Sequence, residues 1–192
     1  MQGRQQNFRG FSLYELMIAV LVLSILITLA VPPMGDFVAS QRSQEITQMV
    51  ASQMRAAREL AVTTSKWVIV CGSQDGISCV KKDFNQLMVF ADDNRNHRKD
   101  ADELQLVVRE FNTQAGNLSL TVGLNFSYLQ FSPEGYGEIS GSFIYCPRDP
   151  RHRRYIQRIT TQRSGRVYIA QIVKDYGEVR ADEKTKAEIK CP

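Results

Sequence analysis

The chain has 192 residues, 43% hydrophobic and 23% charged, which excludes a disordered chain and leaves room for one ordinary domain with an appendage. A formal charge of +4 excludes a polybasic or polyacidic identity on the total alone, so the placement of charge carries the information. Four cysteines suit two disulfides in an exported chain, and thiols or a metal site in a retained one, so the compartment has to be read first.

Phe11 to Val31 is a run of 21 residues whose single charge is Glu15. It is about long enough to cross a bilayer as a helix. Arg4 and Arg9 precede it with no acid between them, which by the positive-inside bias places the short leader in the cytoplasm and everything beyond Val31 outside the inner membrane. A secretory signal would be cleaved after the run. Ala30-Val31-Pro32 and Val38-Ala39-Ser40 match A-x-A poorly, and a discarded signal has no use for a carboxylate. The run reads as a retained anchor.

Gly10-Phe11-Ser12-Leu13-Tyr14-Glu15 resembles the class III signal of type IV pilins and pseudopilins. The resemblance implies a prepilin peptidase that cuts between Gly10 and Phe11 and methylates the new N-terminal Phe11, leaving Glu15 fifth in the mature chain. It also gives Glu15 a partner, the charged amine on Phe11 of a neighbouring subunit, met where water is scarce. A buried charge left unpaired is costly, so such a pair selects register more than it adds stability.

Pro32 and Pro33 follow the run, where the missing N–H groups predict a kink or break. From 36 to 64 the residues Phe37, Val38, Ile46, Met49, Val50, Met54, Ala57, Leu60 and Ala61 recur at helical spacing. That pattern predicts a helix packed on a core. Arg42, Glu45, Arg55, Arg58 and Glu59 fall mainly on its other faces. Beyond Lys66 the period is that of strands, predicted at 66–71, 86–91, 103–110, 118–122, 128–132, 141–146, 155–161 and 165–171. Strands this frequent, after a long helix, predict an α+β domain with the helix packed on an antiparallel sheet. The order WVIVC, LMVFADDNRN, FSPEG, GSFIYC and SGRV is similar to that of the FimT/FimU/GspH group of minor pilins. The resemblance implies a leader over 1–10, a transmembrane or filament-core helix over 11–31, its amphipathic half over 32–65 and a β-rich head over 66–192. The charged tail from Lys174 departs from the group.

Cys71 and Cys79 flank a turn-rich segment, and Cys146 and Cys191 remain. Three connectivities exist; pairing 71–79 and 146–191 staples that turn and ties the tail to the sheet. A zinc site is the competing reading, but no C-x-x-C pair occurs and the periplasm is oxidising.

In ADDNRNHRKDADE the residues Asp92, Asn94, Asn96, Asp100 and Glu103 fall on ligand positions of a calcium loop. The sixth position, normally glycine, is His97, and Arg95, Arg98 and Lys99 crowd the place of a cation. The stretch reads as a hairpin loop held by Asx turns, with no cofactor.

From Arg148 to Arg166 there are seven arginines (Arg148, Arg151, Arg153, Arg154, Arg158, Arg163 and Arg166) against one acid, Asp149. Such a run, with Tyr155 and Tyr168 near it, is an electrostatic footprint for phosphate backbones. Some FimT-like pilins are DNA receptors with a Gly-Arg-x-Arg element, but here Gly165-Arg166-Val167 is followed by Tyr168. The alternative is a solvated loop paired with acids of neighbouring subunits or with Asp175, Glu178 and Asp182 of the tail.

His97 and His152 lie in polar loops without a matching nucleophile, and no phosphate loop or H-E-x-x-H occurs, so no enzyme is expected. The resemblance implies a minor pilin that assembles into or primes a type IV pilus, first in the inner membrane with a periplasmic head and then in the extracellular fibre. Its partners would be major and minor pilins, the prepilin peptidase and the membrane, with no small-molecule substrate. A DNA-capturing pilin and a type II secretion pseudopilin are the alternatives.

Overall fold

The computed structural model describes residues 10–123, 126–170, 172–175, 178–181 and 191, without the side chains of 29–33, 106–108 and 172–181. The chain divides into two compact units between Val38 and Ala39. One helix, α1 (Leu13–Thr64), contributes to both. The break expected at Pro32–Pro33 is absent from it, because a proline removes its own hydrogen bond while its fixed φ still fits a helix. Thr64 is the last helical residue. Ser65 turns left-handed and the Lys66 amide reaches back to the Ala61 carbonyl, closing the helix in the Schellman manner.

In the first unit the helix is apolar on every face. Leu16, Met17, Ile18, Val20, Leu21, Val22, Leu23, Ile25, Leu26 and Ile27 are all exposed. A helix apolar all round has to be covered by something other than water. Among the described residues no helix is long and apolar enough to cross a membrane.

In the second unit α1 buries a narrow stripe, Ile46, Val50, Met54, Ala57 and Ala61, at intervals of three and four residues. Two antiparallel sheets share this stripe. One runs β3 (Gln105–Glu110), β2 (Gln86–Ala91), β1 (Val68–Ser73), β5 (Leu129–Phe131), β6 (Gly137–Ile139); the other runs β4 (Gly116–Val122), β7 (Gly141–Pro147), β8 (Gln157–Thr161), β9 (Val167–Ile169). A separate ribbon pairs β10 (Ile172–Asp175) with β11 (Glu178–Ala181) in the segment whose role the sequence left open.

Strand alternation sorts the side chains into layers. Val68, Val70, Leu87, Val89, Leu129, Phe131, Phe143, Tyr145 and Ile159 face the helix and form the main core. Ile69, Cys71, Met88, Phe90 and Tyr128 form a second cluster on the outer face of the first sheet. Ile144, Cys146 and Ile156 form a third on the outer face of the second sheet. Each outer cluster holds a disulfide, Cys71–Cys79 in one and Cys146–Cys191 in the other.

Two short connections stitch the sheets together. After the first disulfide the Val80 amide donates to the Gly72 carbonyl (2.8 Å), and the next residue, Lys81, accepts from the Leu120 amide of β4 (2.8 Å). At another point the Gly137 amide of β6 donates to the Arg163 carbonyl of the β8–β9 turn (3.0 Å).

Candidate functional site

The N-terminal motif is open. Gly10 has nothing within 4 Å of where a Cβ would stand, and Phe11 is 84% exposed. Glu15 sits in the first turn of α1, where the unpaired amides of the helix start favour a negative charge.

The acidic loop between β2 and β3 is brought together, but by its own amides. Buried Asp92 accepts from the backbone of Asn96 and His97 (3.1 Å each), and Glu103 accepts from the backbone of Asp93 and Asp100 (3.0 Å each). Asp100 Oδ2 takes the side-chain amides of Asn94 and Asn96 (2.7 Å each). His97 adopts the left-handed conformation that a glycine would supply, with its ring stacked on Tyr128 at 4.8 Å between centroids. Arg95, also left-handed, covers the Trp67 ring at 4.6 Å. The five residues thus spend oxygens on closing the loop, and among the described residues no group of three or more His, Cys, Asp or Glu gathers for a metal. Asp92→Ala leaves the half-buried His97 amide without an acceptor, while the Asn96 amide keeps Asn94 Oδ1 (3.0 Å), and a loss of about 1–3 kcal/mol is expected in a urea titration. Asp92→Asn retains one acceptor oxygen and is expected to lose less than half as much.

The arginine run does not form one patch, because β8 divides it. Arg148, Arg151, Arg153 and Arg154 lie at or around the 3-10 turn Pro150–Tyr155, while Arg163 and Arg166 lie in the turn beyond β8, roughly 17 Å further at strand rise. At the first end Asp149 caps the 3-10 turn, accepting from the Arg151 amide (2.9 Å) and guanidinium (2.7 Å). The Arg151 guanidinium and then its amide hold the Asp149 carboxyl down at about 2. A depressed carboxyl stabilises above the ordinary carboxylate range, and that contribution fades as pH falls through about 2. The Arg154 guanidinium covers the Tyr155 ring, and buried Ser43 of α1 donates to the Tyr155 carbonyl, so the turn is fixed to the helix. Arg148 and Arg153 line a cavity of about 430 Å³ with Lys82 and Cys191. Arg158 leaves its Nε buried without a hydrogen bond among the described residues.

At the other end two glycine turns meet on α1. Gly135 ends the Ser132-Pro133-Glu134-Gly135 turn and Gly165 ends the Gln162-Arg163-Ser164-Gly165 turn, both with positive φ (82° and 74°). The Arg58 Nε donates to the Gly135 carbonyl (2.9 Å) beneath them. A Cβ on Gly165 would stand 1.9 Å from that same carbonyl oxygen. Beside this clasp a cavity of about 560 Å³ is lined by Arg55, Arg58, Glu59 and Val62 of α1 and by Gly165, Arg166 and Val167.

Residues 5–31 match the prokaryotic N-terminal methylation motif, and residues 47–165 match the family described as type II transport protein GspH. The chain belongs to the GspH family. It is a minor pilin or pseudopilin, of the type IV pilus or type II secretion kind. No curated protein matches this GspH-family chain by sequence. Among solved structures it is similar to the type IV minor pilin FimU of Pseudomonas aeruginosa, at 14% identity and a TM-score of 0.51, over 70% of this chain and 92% of that one. It is also similar to the minor pseudopilin EpsH from the type 2 secretion system of Vibrio cholerae, at 12% identity and a TM-score of 0.50, over 67% of this chain and 95% of that one. Identities this low speak to the fold alone, a pilin-like α+β architecture.

Within this GspH-family head, sequence reading found the SPEG and SGRV stretches but not their meeting. It also assigned Arg55 and Arg58 to faces turned away from the core without linking them to Arg166. The available signal was their spacing, since Arg55, Arg58, Glu59 and Val62 follow at three, four and seven residues and share one side of α1.

Proposed function

We propose that this chain is a tip-proximal or priming minor pilin of a type IV pilus, cut between Gly10 and Phe11, methylated on Phe11 and held first in the inner membrane. The observation that carries this reading is the uncovered apolar first half of α1 with a single acid at its start. Bundled in a fibre core with other pilins, those side chains lose contact with water. Glu15 then neutralises the amine of an adjacent Phe11. N-terminal sequencing of protein from the native host is expected to begin at Phe11. Glu15→Ala is expected to be processed yet to enter sheared filaments at least tenfold less, since removing one partner of a buried pair costs about 3–5 kcal/mol. Normal incorporation of Glu15→Ala overturns the proposal.

The family match over residues 47–165 favours a second reading, a pseudopilin of a type II secretion system. Deletion in the native host separates the two. Loss of surface pili with the secreted proteins intact supports the pilus, and the converse supports secretion.

A further inference from the structure

The cavity beside the clasp has a composition that the assembly of a helix bundle does not explain. Its lining carries Arg55, Arg58 and Arg166 against the one acid Glu59, a local charge of 3 − 1 = +2. Among the described residues the guanidiniums of Arg55 and Arg166 make no hydrogen bond or ion pair, and neither does the Glu59 carboxylate. Arg58 is held in place by its Nε bond to Gly135, which leaves its terminal nitrogens to serve as donors. Val62, 49% exposed, and Val167 supply an apolar wall.

We infer that this cavity is a docking surface for a carboxylate-bearing segment on the head of a neighbouring filament subunit. The inference rests on the reading of the chain as an assembling pilin. Guanidinium forks match carboxylates in two-point geometry, and an arginine already fixed by its scaffold loses less freedom on binding. The valine wall suits the methylene stem of an acidic side chain. A volume of about 560 Å³ fits a short peptide segment better than a lone ion. Nucleic acid fits less well. Glu59 places a negative charge in the wall where a polyphosphate would pass, and Arg148, Arg151, Arg153 and Arg154 lie at the far end of β8, out of line with this cavity.

The test uses the full chain in its native host, with Val62 replaced by a photo-activatable phenylalanine. Irradiation is expected to join the chain to another pilin-like subunit, through a head peptide containing Asp or Glu. Combining the probe with Arg55→Glu and Arg166→Glu is expected to lower the yield about tenfold or more, and Arg at the partner's acid is expected to restore it. Should the reversed pair fail to accumulate, Arg55→Gln with Arg166→Gln gives the same comparison with a smaller drop. Cross-linking to nucleic acid, to a peptide without an acid, or at a yield that charge reversal leaves unmoved overturns the inference. The same samples are scored for leader removal and for presence in sheared filaments. A chain that is processed and incorporated but never cross-linked sinks only the docking surface, whereas one never processed sinks the assembly reading.

Discussion

Gly165→Ala is expected to lower the melting temperature of the full chain in detergent by roughly 10 °C, followed by circular dichroism. Three effects add. An alanine at φ 74° is strained by about 1–2 kcal/mol. Its Cβ would lie 1.9 Å from the Gly135 carbonyl oxygen and 2.7 Å from Arg58 Nε, so one turn has to lift from the other. Lifting breaks the Arg58–Gly135 hydrogen bond, a charged one worth about 1.5–3 kcal/mol. The sum is about 3–5 kcal/mol. Gly123→Ala is the control, because nothing lies within 4 Å of its added carbon, and it is expected to melt within about 2 °C of the parent. A Gly165→Ala chain that melts with the control would show that the two turns do not press on each other.

The second large effect is expected from the cysteines, and it is unequal between the pairs. Cys146 and Cys191 are 45 residues apart, whereas Cys71 and Cys79 are 8 apart. If the bridges act chiefly by restricting the unfolded chain, replacing both members of the longer bridge by serine loses about 4 kcal/mol, and of the shorter about 2.5 kcal/mol. Denaturant titration of the two double variants checks the order. Equal losses, or a larger one at Cys71 and Cys79, would place the stabilisation in local packing, where Cys71 lies fully buried among Ile69, Met88 and Phe90. The shorter loop has its own support, since Asp75 accepts from the amides of Ser78 and Ile77, which hold its carboxyl down at about 2.

Local chemistry was legible in the sequence, and long-range approach was not. The stretches VIVC and LMVFA announce strands because β1 and β2 are covered on both faces, so every residue is apolar or small. Gly137-Glu138-Ile139 of β6 is too short to show any period and escaped notice. The split into two sheets was also invisible, because the stitches through Lys81 and Arg163 are backbone bonds that any side chain permits. At the acidic loop the spacing allowed a calcium template but read better as Asx turns, and the carboxylates of Asp92 and Glu103 do accept from the loop's own half-buried amides. Seven arginines close in sequence suggested one patch, yet five residues of extended strand suffice to part them. The partners of Arg166 came instead from α1, more than a hundred positions earlier, and no local pattern links them.

The borders of the two sheets bear on life in a crowded fibre. β6 and β9 are three residues long, and the free side of β4 is already engaged by the Lys81 carbonyl. β3 is the longer border, and it carries Arg109 and Glu110. Charged or very short borders are poor templates for pairing with another chain. On the proposed assembly, heads brought to high local concentration would resist pairing along these borders, and polymer growth would be left to the helices.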